Sequence, residues 1–197
     1  MASDAVTLIM NDHRLMEQLF ERLRSGDGDR RALLAETAAR LAAHSHAEEE
    51  KIYPALAEAA PDEYGDVEHA AQEHHEADVL LHRLQSLETG DPAFTMVLEK
   101  LVDSVLHHVE VEESQLLPAL REAVDSDTLE ELGRAFEEVR ARELEVAGMG
   151  RAAGAVQNTG MDEMSRDELY AQAKEAGIPG RSNMTKEELV RALREQS

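Results

Sequence analysis

Residues 44–56 read HSHAEEEKIYPAL, and residues 108–120 read HVEVEESQLLPAL. In both stretches a glutamate follows the leading histidine by four residues and a proline follows it by ten. On a helix, residues four apart project from the same face. His44 therefore points with Glu48, and His108 with Glu112. Each pair also sits in an apolar stripe. Leu34, Ala38, Leu41, His44, Glu48, Ile52 and Ala55 form one, and Leu98, Leu101, Val105, His108, Glu112, Leu116 and Ala119 form the other.

Working outward, each stretch is preceded by a helix that carries a histidine in its own apolar stripe. Residues 5–24 place Val6, Ile9, His13, Met16, Phe20 and Leu23 on one face. Residues 66–87 do the same with Val67, Ala70, His74, Ala77, Leu81 and Leu84. The two halves are repeats. Leu19-Phe20 matches Leu80-Leu81, and Leu23 matches Leu84, at the spacing that relates His13 to His74. Asp29 is expected to cap the second helix, and Asp91 with Pro92 to start the fourth. The short connections predict antiparallel neighbours: an all-α, up-down four-helix bundle. A fifth amphipathic helix is expected over about 127–146, through Leu129, Leu132, Phe136 and Val139. Residues 148–161 are rich in Gly and Ala without a period and read as a linker. A small helical module is expected over 162–197.

Composition agrees. Of the 197 residues, 42% are hydrophobic and only 3% aromatic, and Cys and Trp are absent. Without cysteine there is no disulfide, zinc thiolate or iron–sulfur cluster, so any metal must be held by nitrogen and oxygen. The formal net charge of −22 makes long-range attraction to nucleic acid or anionic lipid unfavourable. No segment approaches the length needed to cross a bilayer, and the N-terminus does not resemble a signal peptide, so a cytoplasmic location and no membrane partner are expected.

The bundle then brings His13, His44, Glu48, His74, His108 and Glu112 to one level of a dry core. Buried carboxylates and imidazoles are costly when unpaired, and two facing carboxylates repel. Metal cations relieve both costs, and a mixed imidazole–carboxylate set suits iron. Two six-coordinate ions would leave positions open for a small molecule. His46, His69, His75, His82 and His107 fall off the stripes, and are read as solvated or as neighbours of the ligands.

On these motifs the first 145 or so residues resemble the hemerythrin family, in its His-His-Glu cation-binding branch. The resemblance implies two non-haem iron ions with an oxo or hydroxo bridge, the four histidines as terminal ligands, and Glu48 and Glu112 bridging. It implies handling of O2, H2O2 or NO. The chain departs from the oxygen carriers, which have a histidine where Asp78 stands and a bridging Asp five residues after the last histidine, where Glu112 follows at four. Redox roles, including catalase-like peroxide decomposition, or sensing are expected ahead of oxygen transport. Asp78 and Glu17 are candidates for extra ligands or for hydrogen bonding to a ligating histidine. Residues 162–197 resemble the helix–extended–helix class of SAP-type and Rho N-terminal segments. That resemblance implies nucleic-acid contact through Arg181 and Lys186, or a protein contact.

Overall fold

The structure, a computed structural model, describes residues 3–26, 28–149 and 184–186. The chain divides into two compact units, Met1–Gly148 and Met149–Ser197. Most of the linker and nearly all of the C-terminal module expected from sequence lie outside the described residues.

The first unit is built from α1 (Ala5–Ser25), α2 (Arg30–Ala47), α3 (Tyr53–Ala59), α4 (Tyr64–Ser86), α5 (Pro92–Val111), α6 (Leu117–Ala123) and α7 (Ser126–Val146). Four aspartates start helices by accepting free backbone N–H groups: Asp4 from Thr7, Asp29 from Arg31 and Ala32, Asp91 from Ala93, and Asp125 from Thr128. Helix α1 contacts α2 and α5, and α4 contacts both α5 and α2, which closes the four-helix bundle. Helix α7 lies along α1 and α2. It can come this close because Gly133 has no side chain: a Cβ there would stand 2.7 Å from the Ser3 carbonyl oxygen and 2.9 Å from the Ala5 nitrogen.

The two long helices that carry the His–Glu pairs are interrupted, where the sequence suggests continuity. A π-helical turn, Glu48–Ile52, joins α2 to α3, and another, Glu112–Leu116, joins α5 to α6. Their wider hydrogen bonds run from the Tyr53 and Leu117 N–H groups to the Glu48 and Glu112 carbonyls. Pro54 and Pro118 lack an N–H and cannot continue the α ladder, so the turn widens just ahead of them. One extra residue per turn shifts the apolar stripe. Leu56 and Leu120 are therefore buried where the unbroken period assigns Ala55 and Ala119, which are half-buried.

The core has two apolar parts. One packs Met16, Phe20, Leu34, Leu41, Leu81, Phe94 and Leu101; the other packs Ile9, Ile52, Leu56, Leu116, Leu120 and Phe136. His13 and His74 lie between these parts along their helices, and His44, Glu48, His108 and Glu112 lie where one part gives way to the other. No helix among the described residues is long and apolar enough to cross a membrane.

Candidate metal centre

All six side chains converge. His13, His44, Glu48 and Glu112 bring one donor atom each within 4.8 Å of the others, and Glu48, His74 and His108 do the same. Glu48 belongs to both groups. Its Oε1 lies 3.2 Å from His44 Nε2, and its Oε2 lies 3.4 Å from His74 Nε2. Glu112 Oε2 lies 3.2 Å from His13 Nε2 and 3.9 Å from His108 Nε2. The rings pair by half: His13 on His44 with centroids 5.0 Å apart, and His74 on His108 at 4.6 Å.

These approaches place nitrogen and oxygen side by side without hydrogen-bond geometry. His13 Nε2, both ring nitrogens of His44 and all four carboxylate oxygens of Glu48 and Glu112 are buried with no hydrogen-bond partner. Leaving so many polar atoms unmatched between two apolar clusters is expensive, of order 1–3 kcal/mol or more for each group. All but His44 Nδ1, which faces Asp12, aim at a common space, and nitrogen with carboxylate oxygen is the donor set for iron and similar cations. The residues fit bound metal.

Without metal, charge redistributes within the cluster. Burial disfavours a charged His44, but Glu48 and Asp12 outweigh it and raise its pKa to about 10. Burial likewise opposes charge on His74, and Glu48 with Glu49 raises it to about 9. His108 goes down, through burial and the neighbouring charge on His74. Glu48, though burial pushes it up, is held well below the ordinary carboxylate value by His44 and His74.

Residues 4–120 match the family described as the Hemerythrin HHE cation binding domain. The chain belongs to that family. The C-terminal residues 162–197 match the Rho termination factor, N-terminal domain. A crystal structure of a hemerythrin HHE cation-binding-domain protein from Mycobacterium kansasii has the same fold, with a TM-score of 0.61 and 22% identity over 96% of this chain and 99% of that one. A protein of Nostoc sp. named a DNA nickase is 28% identical over 150 residues, which is 75% of this chain and 42% of that protein. The chain therefore spans less than half the length of that relative.

Around this HHE centre the structure adds groups that the sequence reading missed. Each Nδ1 faces a carboxylate: His13 faces Glu113 at 2.8 Å, His44 faces Asp12 at 3.5 Å, His74 faces Glu49 at 2.9 Å, and His108 faces Glu73 at 3.0 Å. Such partners fix the ring and direct Nε2 inward. A signal for them was present. Asp12 and Glu73 each precede the first histidine of a repeat, and Glu49 and Glu113 each follow the shared glutamate. Within each hairpin the acid before the first histidine serves the second histidine. The acid after the glutamate reaches across to the other hairpin, a crossing that no linear period displays.

The two carboxylates proposed from sequence are elsewhere. Glu17 accepts from Arg14 at 2.6 Å on the surface, and Asp78 gives only its backbone carbonyl, to His82. Neither carboxylate belongs to the two donor groups. Both lie four residues past a core histidine, but that step in α1 and α4 carries the side chain to the edge of the stripe, away from the metal level. Tyr53 is the other omission. It stacks on His74, its hydroxyl lies 3.4 Å from His74 Nε2, and burial together with Glu48 and Glu112 pushes its pKa well up. The π turn brings it inward, so an unbroken helical period places it wrongly. His46, His69, His75, His82 and His107 are exposed. Arg181 lies outside the described residues, and Lys186 is half-buried.

Proposed function

We propose that this HHE domain holds two non-haem iron ions and handles O2, H2O2 or NO in a redox stress response. One ion would take His13 and His44, the other His74 and His108, with Glu48 and Glu112 shared. The observation that carries this reading is the set of six buried, unpartnered donor atoms aimed at one space: His13 Nε2, His44 Nε2 and the four carboxylate oxygens of Glu48 and Glu112. Bound iron would supply one-electron and two-electron exchange with the small molecule. The chain does the rest. Asp12, Glu49, Glu73 and Glu113 orient the four imidazoles, and the apolar clusters on either side keep bulk water out. The Tyr53 hydroxyl offers a hydrogen bond beside His74. A small cavity of about 10 Å³, bordered by Met16, Leu41, Ala77, Val105, His44, His74 and His108, leaves room for one molecule of water size.

The test is metal analysis of the full chain purified without chelators, together with its absorption spectrum and oxygen evolution from peroxide. Near two irons per chain and a ferric-pair absorption band are expected, both lost in Glu48→Ala. A chain that takes up no iron would overturn the reading.

A second reading has its own support. The match of residues 162–197 to the Rho N-terminal domain, and the name of the Nostoc relative, favour a module that meets nucleic acid. On this reading residues 1–147 are the metal bundle, 148–161 a linker and 162–197 the contact module, and the bundle reports oxygen, iron or NO. The full chain should shift a DNA or RNA probe at low salt, and Arg181→Ala with Lys186→Ala should abolish the shift. Equal binding by that variant would exclude those two residues as the contact.

A further inference from the structure

The four carboxylates that face the histidines are alike in role but not in surroundings. Asp12 is held by Arg140 at 2.5 Å, and Glu113 by Arg14 at 2.6 Å. The His13–His44 half is thus backed by two guanidinium groups, and Phe136 packs edge-to-face with His44, ring centroids 5.8 Å apart. A metal cation approaching there meets like charge and a buried aromatic.

The other half is different. Glu73 is mostly buried, and three histidines surround it. His108 Nδ1 lies 3.0 Å from its Oε2, while exposed His69 and His107 bring Nε2 atoms to 3.5 Å and 4.0 Å from its Oε1. Among the described residues, the ion pairs seen at Glu73 are all with histidines. Glu73 also borders the small cavity, together with His74 and His108. His69, Glu73 and His107 do not close to the spacing of a tight three-donor site. They form a loose trio whose donors run from solvent to the inner ring.

We propose that metal ions load and leave the centre through this α4–α5 face, with His69, Glu73 and His107 as the port that passes a divalent cation to His74 and His108. The proposal rests on the metal reading above. Imidazoles and a carboxylate that bind weakly in turn can replace the waters of an aquo ion stepwise. A tight site at the same place would trap it.

The probe is Co²⁺ alone, added to the metal-free full chain in a stopped-flow instrument and followed by its ligand-field absorption. His69→Gln with His107→Gln, which removes two imidazole ligands from the entry path, should slow uptake about tenfold, the low end of what the loss of a supporting residue costs a metal site. Final amplitude and stoichiometry should match the unaltered chain, and a chelator should extract the metal more slowly by a similar factor. His46→Gln with His82→Gln, which removes two exposed histidines elsewhere, should change neither rate. Uptake by the port variant at the unaltered rate would overturn the port and leave the metal reading intact. A lost amplitude would also overturn it, by placing the pair within the centre's own scaffold. No uptake by the unaltered chain would sink the metal reading, and the port with it.

Discussion

Glu112→Gln should make the metal-free protein more stable and the metal-treated protein less so. Glu112 is 1% exposed, and neither of its oxygens has a hydrogen-bond partner. Its nearest positive candidates are His13 Nε2 at 3.2 Å and His108 Nε2 at 3.9 Å, and burial holds His108 down. Replacing a buried carboxyl group that has no hydrogen-bond partner returns about 1–3 kcal/mol. For a chain of this size 1 kcal/mol moves Tm by about 2–4 °C, so the metal-free variant should melt about 4–8 °C higher at a central 2 kcal/mol. With metal the order reverses. At free metal 100 times its Kd the unaltered chain gains about 2.7 kcal/mol, and a variant lacking one shared carboxylate forfeits most of that. The assay is thermal unfolding by circular dichroism, with chelator and then with Fe²⁺ under anaerobic conditions. Parallel curves under both conditions would refute the reasoning, as would a metal-free variant that melts lower. Glu48→Gln is the contrast. Two raised histidines already compensate Glu48, so its removal should not stabilise the metal-free chain.

Other consequences follow from the same geometry. Asp12→Asn should weaken metal binding by about 10–100-fold while leaving the helical spectrum unchanged, measured by competition with a chelator. His44 and His74 are raised from 6.5 to about 10 and about 9, so their protonation stabilises the metal-free fold fully below pH 6.5. That contribution declines as pH rises above 6.5 and is gone past about 9 to 10, and chelator-treated protein should show a falling Tm between those limits. Metal uptake at pH 7 should release protons from the same two rings, detectable with a pH indicator in weak buffer. Gly133→Ala should cost about 1–3 kcal/mol, since its Cβ meets the backbone of Ser3 and Ala5, and a denaturant titration with no shift would contradict that contact. Phe136→Ala should cost about 3–5 kcal/mol by the same measurement and expose the His44 side of the centre.

The helical period and the duplicated His–Glu spacing, both local properties, suffice to name the helices, their caps at Asp29 and Asp91, and six inward-facing donors. Each stripe marks which side chains must leave water, and a histidine within a stripe is carried inward with its neighbours. Three features depend on the assembled bundle. Pro54 and Pro118 force π turns only because the helices continue beyond them, and those turns bring Tyr53, Leu56 and Leu120 inward. The partners of the outer ring nitrogens come from other helices, so Glu49 finds His74 and Glu113 finds His13 across the hairpins. The inequality of the two halves arises because α7 packs on α1, α2 and the Glu48–Ile52 turn, bringing Arg140 and Phe136 to one side and leaving Glu73 beside solvent-facing histidines on the other. Periodicity states which way a side chain points on its own helix, but what it meets there is decided by which helix arrives opposite.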